Sequence, residues 1–527
     1  MKSQTSRYPL SPRSTPHEGP LALCLQAAAS KFPDRIAIAS GEERLSYRAF
    51  DHEARRLAHR LISAGIAPGD RVALHMLNGI DLAISYFGCF YAGAIAVPIN
   101  TRFKAPEIEY VLGHSGASLY LGQSELVSEV AGIPSGQHRV RTFVFDVRQF
   151  AAETEAPMNR LLPHVAADEA AIIVYTSGTT ARPKGVTHTH RTSLTAARAC
   201  GLESSDVSAV VTPMAHMAGF VVLLACVDAG ATAVMSARFE ADRLLDDIAS
   251  HRCTSLFAMP VMYQALCAAQ LAQRREVSSL HRCLAGGDSV SPTLKTTFAQ
   301  AFGCLLYEIY ASTELGIIAA NWSEAERLRG SCGSALPDVA VALADATHDA
   351  RGATGECIVR SACMMIGYWE DPDATATAVK DGWFYTGDLL RQDPEGHLWF
   401  EGRRKEIIVR GGSNVSPQEV EAALYQHPGV HEAGVVGALD ATWGERVVAF
   451  VSRSPGERVE AEELIAFVGE RLAAYKTPDQ IVFLEVLPKS PVGKIQRRAL
   501  REMLTPSTVE RPKAERPALS MSRATEM

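Results

Sequence analysis

The chain of 527 residues has an ordinary globular composition, with 47% hydrophobic and 21% charged residues, which excludes a fibrous or wholly disordered protein. Its length allows a sizeable core, either in several domains of average size or in one large domain with a smaller one. With 52 Lys and Arg against 59 Asp and Glu, the net charge of −7 argues against non-specific binding to nucleic acid.

The N-terminal residues and the cysteines indicate the cellular compartment in which the protein is expected. Residues 1–20 are polar and lack the apolar run of a signal peptide, so we expect a flexible arm there. The 11 cysteines are scattered, with no C-x-x-C pair and no histidines at zinc-finger spacing. They indicate reduced thiols in the cytoplasm, without a disulfide framework or structural zinc.

Helix and strand patterns alternate after this arm. The apolar spacing predicts a helix at 53–65, a strand at 71–77, a helix at 80–92 and a strand at 94–99. Such alternation is typical of α/β layers with parallel strands. The same pattern continues with strands at 170–175, 254–260 and 282–286, each followed by a loop and then a helical segment. Ligands bind at strand ends of this kind.

Two uncharged stretches, 82–101 and 207–227, are long enough to be compared with a membrane span. Pro98 and Pro213 divide them into pieces of strand and helix size, which favours buried helices and strands. We therefore expect no integral membrane association.

A polar stretch, GRRKE at 402–406, separates this pattern from a compact run of strands and helices that ends near Met503. It predicts a boundary and a second domain at 403–504, of common domain size. Residues 505–527 are rich in proline and charge and have little to bury, so we expect a disordered tail.

The most informative segment is YTSGTTARPKGV at 175–186, which follows the apolar strand 170–174. Its hydroxyls, its glycines and Lys184 suit a polyphosphate, which needs close backbone approach, hydrogen-bond donors and a positive charge. It is not a Walker A loop, because no Gly-Lys-Ser/Thr closes it. Composition alone fits a solvated turn equally well.

This segment resembles the phosphate loop of the adenylate-forming superfamily, which includes acyl-CoA synthetases, luciferases and peptide adenylation domains, although Ala181 stands where the family has glycine. The resemblance extends from Leu21 to Met503, because further motifs occur in family order. These motifs are PMAH at 213–216, AGG at 285–287, YASTE at 310–314, WFYTGD at 383–388, GRRK at 402–405 and PKSPVGK at 488–494. Several ordered motifs are far more specific than any one of them.

The resemblance implies a two-domain α/β fold. It implies a large domain at 21–402, with parallel-sheet α/β layers and a β-barrel-like part, and a small mobile α+β domain at 403–504. It also implies two reaction steps: a carboxylate attacks the α-phosphate of ATP to give an acyl-adenylate, and a thiol then captures the acyl group. Because both partners of the first step are anions, Mg²⁺ and a cation are needed near the forming bond.

The resemblance also assigns residues to ATP and Mg²⁺. It assigns Glu314 and Thr176 to Mg²⁺, Thr313 to the α-phosphate, and Lys494 to the bridge between the attacking carboxylate and the α-phosphate. It places Asp388 and Arg403 at the ribose, with Arg403 also within reach of the phosphates. The remaining nucleotide contacts that it implies are Ser177, Gly178, Thr179, Thr180 and Lys184 in the phosphate loop, and Gly286, Gly287, Asp288 and Tyr310 elsewhere.

In the same comparison, His216 resembles the gate of an acyl pocket, with Met214, Met217 and Phe220 as its wall, although such residues often simply pack in a core. Lys405 matches the hinge between the two domains, although a plain charged linker explains the same charges. Gly411 and Gly412 match the wall beside the pantetheine arm of CoA, where a tight turn is the alternative, and Trp443 matches a residue near that arm.

The leading hypothesis is an acyl-CoA synthetase for an apolar acid, either a medium- or long-chain fatty acid or an aryl acid. A second hypothesis is an enzyme that loads the acyl group onto the thiol of an acyl carrier protein, because it would use the same catalytic residues. A third is a nucleotide-binding sensor without catalysis. The joint presence of Lys184, Glu314, Asp388 and Lys494 argues against the third.

Overall fold

The computed structural model describes residues 19–130, 140, 142–153, 161–176, 183–288, 290–321, 330–404, 406–410, 413–440, 443–472, 474–490 and 493–504. The chain forms two compact units, and the second begins at Lys405. The predicted boundary lies between residues 402 and 403, whereas in the structure Arg403 ends a strand of the larger unit. The predicted tail, and the predicted arm apart from Gly19 and Pro20, lie outside the described residues.

The larger unit is built from alternating helices and strands and ends in a run of strands. In chain order its elements are α1 (Leu21–Lys31), β1 (Ile36–Ser40), β2 (Glu43–Ser46), α2 (Tyr47–Ser63), β3 (Arg71–His75), α3 (Ile80–Ala92), β4 (Ile95–Pro98), α4 (Ala105–Ser115), β5 (Leu119–Gly122), α5 (Val127–Val130), β6 (Thr142–Val144), α6 (Val147–Ala152), β7 (Ala170–Thr176), β8 (Lys184–Thr189), α7 (His190–Arg198), β9 (Val207–Val210), α8 (Met217–Ala229), β10 (Thr232–Met235), α9 (Ala241–His251), β11 (Ser255–Ala258), α10 (Pro260–Ala272), β12 (Arg282–Ala285), α11 (Pro292–Phe302), β13 (Leu306–Ser312), β14 (Gly316–Asn321), β15 (Ser331–Ala335), β16 (Val339–Asp349), β17 (Gly352–Ser361), β18 (Gly367–Tyr368), α12 (Pro372–Ala378), β19 (Val379–Lys380), β20 (Trp383–Gln392) and β21 (His397–Arg403).

The described strands of this unit form two sheets. The first has 14 strands in the order β16-β17-β20-β21-β15-β14-β13-β12-β11-β9-β10-β1-β2, with β19 beside β20. Its strands are parallel from β1 through β10, β9, β11 and β12 to β13, and antiparallel from β13 to β16. The second sheet has 7 strands in the order β18-β8-β7-β4-β3-β5-β6 and is parallel from β7 to β6. The prediction of a large α/β unit with parallel strands is confirmed.

The two uncharged stretches are buried helix and strand segments, as predicted. The first contains α3 and β4, and the second contains β9 and α8. Helix α8 is apolar on all sides because it is enclosed by the core, where Phe220 packs against Tyr86 with ring centroids 4.9 Å apart. Among the helices that the structure describes, none has both the length and the apolar character needed to cross a membrane.

One predicted segment is wrong. After the strand at 170–175 the sequence pattern predicts a loop and then a helix, whereas the next element that the structure describes is strand β8, beginning at Lys184. This strand is antiparallel to β7, and its other edge pairs with β18. The two ladders satisfy its backbone groups on both sides, and β-branched Val186, Thr187 and Thr189 suit that pleated position. Helix α7 begins only at His190.

The smaller unit contains β22 (Ile408–Arg410), β23 (Ser413–Val415), α13 (Pro417–Leu424), β24 (Val430–Asp440), β25 (Gly444–Arg453), α14 (Ala461–Gly469), β26 (Gln480–Phe483) and α15 (Arg497–Glu502). Its described strands form a 5-stranded sheet in the order β23-β22-β25-β24, with β26 parallel to β25. Apolar residues of this sheet, of α13 and of α14 form one core. The prediction of a smaller α+β unit after the large one is confirmed.

Candidate active site

Several of the predicted site residues follow parallel strands of the 14-stranded sheet. His216 follows β9, Gly286 follows β12, and Thr313 follows β13. Because β9, β11, β12 and β13 are parallel neighbours, their carboxyl ends lie along one edge of the sheet. Loops at this edge are the usual ligand-binding position in open α/β sheets.

Lys184 and Glu314 are joined through the side chain of Tyr368. Lys184 begins β8, directly opposite Thr176 at the end of β7. Its Nζ atom lies 4.6 Å from the centroid of the Tyr368 ring, within cation–π distance. The Tyr368 hydroxyl donates a hydrogen bond to Glu314 Oε1 at 3.3 Å. One aromatic side chain therefore contacts both the Lys184 ammonium and the Glu314 carboxylate, and no motif in the sequence points to Tyr368.

The backbone of the turn that carries Thr313 and Glu314 is held from two directions. The Thr313 carbonyl oxygen lies 2.8 Å from His188 Nε2 on β8. The Glu314 carbonyl accepts a hydrogen bond from the backbone N–H of Met365 at 2.7 Å. Thus the position of the Glu314 carboxylate is fixed by its backbone on both sides as well as by Tyr368.

Tyr310, Asp388 and Arg403 form a second polar group. Asp388 and Arg403 are paired on the neighbouring strands β20 and β21, whereas Tyr310 lies on β13 of the same sheet. The Tyr310 hydroxyl donates to Asp388 Oδ2 at 2.7 Å, and Arg403 Nε lies 3.2 Å from Asp388 Oδ1. Burial raises the pKa of Tyr310 well above its usual value, and the neighbouring Asp388 carboxylate raises it further, so the hydroxyl stays protonated and can donate. Asp388 therefore contacts both of the other residues of this group, all three of which are predicted at the nucleotide.

The end of β21 is fixed by Glu356, a buried residue of β17. The Glu356 carboxylate accepts a hydrogen bond from the backbone N–H of Gly387 at 3.1 Å and another from Arg404 Nη1 at 2.6 Å. The backbone N–H of Arg404 in turn donates to the Gly387 carbonyl at 2.8 Å. The residues beside Asp388 and Arg403 are thus hydrogen-bonded to each other, and no motif in the sequence points to Glu356.

Gly286 and Gly287 are glycines for two different reasons. A Cβ atom on Gly286 would lie 2.7 Å from Ile309 Cγ1 on the neighbouring strand β13, which leaves no room for a side chain. Gly287 has a φ of +86°, a left-handed conformation that favours glycine. Asp288, which the resemblance also places at the adenine, is exposed. The backbone at this point can therefore be approached closely by a planar ligand.

His216 is half-buried at the N-terminal end of α8, and its Nε2 atom lies 3.4 Å from Asn100 Nδ2. The residues predicted as a pocket wall, Met214, Met217 and Phe220, are buried in the core. Met214 and Phe220 are fully buried, and the Met214 carbonyl accepts a hydrogen bond from the Tyr86 hydroxyl at 2.6 Å. Their positions agree with the packing alternative considered from the sequence.

In the smaller unit, Lys494 lies on a tight turn with its side chain exposed. The Lys494 backbone N–H donates to Ser490 Oγ at 3.2 Å, and the Ser490 N–H donates to the Lys494 carbonyl at 2.7 Å. Trp443 is 53% exposed, beside the hairpin end of β24. The remaining predicted residues lie outside the described residues; they are Ser177, Gly178, Thr179, Thr180, Lys405, Gly411 and Gly412.

The donor atoms at Glu314 and Thr176 suit Mg²⁺, which prefers carboxylate and other oxygen ligands. The structure gives Glu314 a hydrogen bond from Tyr368, and in the described part of the chain it gives this carboxylate no ion-pair partner. A half-buried carboxylate that is held in place and has no ion-pair partner among the described residues fits a metal ligand.

Comparisons with known proteins identify the family of the chain. The model of the AMP-binding enzyme family matches residues 25–369, and the model of the AMP-binding enzyme C-terminal domain matches residues 419–494. A feruloyl-CoA synthase from an Amycolatopsis species is 34% identical over 479 residues, which cover 89% of this chain and 96% of that protein. A long-chain-fatty-acid–CoA ligase from Mycobacterium tuberculosis is 32% identical over 490 residues, covering 88% and 94% of the two chains.

Among solved structures, the anthranilate CoA ligase AuaEII in complex with anthranoyl-AMP superposes with a TM-score of 0.87 at 25% identity, covering 94% of this chain and 99% of that one. These proteins share both units with the chain described here and are ligases that join a carboxylic acid to a thiol. The chain belongs to the AMP-binding enzyme family and is an acid–thiol ligase of this family.

Proposed function

We propose that the chain activates an apolar carboxylic acid with ATP and transfers the acyl group from the acyl-adenylate to CoA. The observation that carries this proposal is the pair of polar groups in the larger unit. One joins Lys184 and Glu314 through Tyr368, and the other joins Asp388 to Tyr310 and Arg403. Together they supply a cation, a carboxylate for a metal and an acceptor for ribose hydroxyls.

In the first step the acid's carboxylate attacks the α-phosphate, and pyrophosphate leaves. Lys184 and the loop before it would bind the phosphates, Asp388 would accept hydrogen bonds from the ribose, and Gly286 and Gly287 would face the adenine. Glu314 and Thr176 would hold Mg²⁺, which neutralises phosphate charge when bound. The Lys494 ammonium would bridge the two reacting anions and stabilise charge that develops as the bond forms.

In the second step a thiol attacks the carbonyl carbon of the acyl-adenylate, and AMP leaves. Lys494 must withdraw to admit the thiol, and we propose that the chain turns at Lys405 to allow this. Gly411 and Gly412 would then lie beside the pantetheine arm, near Trp443. The exposed side chains of Lys494 and Trp443 are compatible with such a change of surroundings.

The acid is proposed to be an aryl acid or a medium- to long-chain fatty acid. His216, with Asn100 beside it, lies at the same sheet edge as Gly286 and Thr313, and the residues next to it in sequence are apolar. The names of the relatives, which include feruloyl and long-chain fatty acids, support an apolar acid of either type.

A cytoplasmic location is also proposed. None of the 11 cysteines, all of which are described, is in a disulfide, and each is buried except Cys304, which is partly exposed. Free buried thiols are usual in a reducing compartment.

The test is pyrophosphate release with ATP and Mg²⁺ over a panel of saturated acids from acetate to octadecanoate, benzoates and cinnamates, each with and without CoA. We expect release with an apolar acid and formation of its CoA thioester. Release without thioester, together with acylation of an added carrier protein, would instead identify a carrier-loading enzyme. A chain that binds ATP but releases no pyrophosphate with any acid would be a sensor, contrary to the proposal.

A further inference from the structure

His188 is a buried polar residue on the face of β8 that also carries Lys184 and Val186, since alternate residues of a strand share a face. Val186 belongs to the same apolar cluster as Leu315, the residue after Glu314. This face of the strand therefore packs along the turn that carries Thr313 and Glu314.

The two ring nitrogens of His188 have different partners. Nε2 lies 2.8 Å from the Thr313 carbonyl oxygen, which can only accept, so Nε2 carries the proton and donates. Nδ1 then accepts from the Thr192 hydroxyl at 3.1 Å. Burial lowers the pKa of His188 to about 4, so the ring is neutral at physiological pH, as this pair of contacts requires.

We propose that His188 is a positioning residue for the metal-binding carboxylate of Glu314. Its Nε2–H holds the carbonyl of the peptide that joins Thr313 to Glu314, and so sets the direction in which the Glu314 side chain leaves the backbone. The proposal rests on the proposed function, because it takes Glu314 to be a metal ligand. Groups that orient a ligand in this way typically change metal affinity by about 10- to 100-fold when removed.

The plain alternative is that His188 only fills the core and forms hydrogen bonds with one backbone carbonyl, that of Thr313, and one hydroxyl, that of Thr192. Both roles predict a loss of stability when His188 is replaced. Only the positioning role predicts that metal binding depends on the single hydrogen bond to Thr313, and that a different donor at the same place restores it.

The experiment compares His188→Leu, which fills similar space without a donor, with His188→Gln, whose Nε2 can still donate to the Thr313 carbonyl. The control is His75→Leu, because His75 is also fully buried and its Nδ1 lies 2.7 Å from the Tyr120 hydroxyl, on other strands. The probe is Mn²⁺ with adenosine 5′-(α,β-methylene)triphosphate, which cannot release pyrophosphate. Free Mn²⁺ is measured by electron paramagnetic resonance, and the unfolding temperature is recorded for each variant.

We expect His188→Leu to weaken Mn²⁺ binding at least about tenfold, with His188→Gln close to the wild type and His75→Leu unchanged in Mn²⁺ affinity. The proposal is overturned if His188→Leu binds Mn²⁺ like the wild type, if His188→Gln is as weak as His188→Leu, or if His75→Leu weakens binding equally. A wild type that binds no Mn²⁺ with the nucleotide overturns both proposals. Normal Mn²⁺ binding without acid-dependent pyrophosphate release overturns the proposed function alone.

Discussion

The larger unit and the smaller unit hold their charged site residues in different ways. In the larger unit, Lys184, Glu314 and Asp388 each contact side chains from other strands or turns, and Asp388 is buried. In the smaller unit, Lys494 is exposed, and the contacts of its turn to Ser490 run through its backbone.

In the smaller unit, ion pairs hold the start of helix α15, which follows the Lys494 turn. Arg497 begins α15 three residues after Lys494, and its guanidinium lies 2.9 Å from Glu406 Oε2 and 2.7 Å from Glu421 Oε2. The residues predicted at the nucleotide in the larger unit are thus held by side-chain contacts, whereas Lys494 is exposed on a turn that is followed by an anchored helix. An exposed position of this kind suits the proposed role of Lys494, which would act in the first step and withdraw in the second.

The largest effect is expected from Lys494→Ala. It should reduce acid-dependent pyrophosphate release by about 10²- to 10³-fold or more, because it removes a cation from the forming bond. Thiolysis of a supplied acyl-adenylate should be largely retained. The matched control is Arg498→Ala, which removes an exposed cation paired with Glu502 in the same unit. Equal loss of both half-reactions in Lys494→Ala would contradict its assignment.

The second-largest effect is expected from a variant of Asp388, which contacts Tyr310 and Arg403 in the larger unit. Asp388→Asn keeps the shape and can still accept from Tyr310 but loses the negative charge beside Arg403. We expect KM for ATP to rise about 10- to 100-fold, as for a lost hydrogen bond to a charged group. Steady-state kinetics with ATP varied would measure this, with exposed Asp349→Asn as the control. An unchanged KM would show that this carboxylate does not bind the nucleotide.

A smaller effect is expected from Tyr368→Phe, which keeps the ring beside Lys184 but removes the hydroxyl that donates to Glu314. The loss in kcat/KM should be about 2- to 10-fold. Tyr368→Leu also removes the ring and should lose more. If the two variants were equally active, the ring would have no role in holding Lys184.

The smallest effect is a change in how stability depends on pH. His190 is buried, and this burial lowers its pKa from 6.5 to about 4. Between these two values the unfolded chain binds a proton that the folded chain does not, so the free energy of unfolding falls as the pH is lowered from about 6.5 to about 4.

Between pH 4 and 6.5, His190→Gln should reduce the difference in bound protons between the unfolded and the folded chain by up to about one. The free energy of unfolding should then depend less steeply on pH. Urea unfolding at a series of pH values would measure it. The Leu21 N–H, which donates to His190 Nδ1 at 3.2 Å, can still be accepted by the glutamine oxygen. A variant with the same pH dependence as the wild type would show that His190 does not titrate in this way.

The sequence predicts much of the fold because the apolar periods are strong. Helix α3 has the bounds predicted from its pattern, Ile80–Ala92, and strands β3, β4, β11 and β12 lie within the predicted ranges. Helix α2 begins earlier than predicted, at Tyr47, because Ser46 caps it by accepting a hydrogen bond from the Ala49 N–H at 3.3 Å. Local capping of this kind extends a helix beyond its clearest apolar period.

The site is less predictable than the fold, because its contacts join residues that are distant in sequence. Motif order identifies Glu314 and Lys184, but no pattern in the sequence connects either of them to Tyr368. The same holds for His188, which stands in a short polar strand pattern with no sign of its contact to Thr313. Glu356 binds Arg404 and Gly387 across strand pairs whose register only the folded chain reveals.

The pairing of Asp388 with Arg403 has a mechanical consequence at the end of the larger unit. Arg403 is tied to Asp388 and Arg404 to Glu356, so the last two residues before Lys405 are held by carboxylates of two different strands. A rotation at Lys405 would therefore begin from an anchored peptide, and the torsion angles beyond Arg404 would absorb it. In the proposed rotation, the strand that carries Arg403 would be the fixed end of the axis, and a ligand bound to Arg403 would stiffen that end.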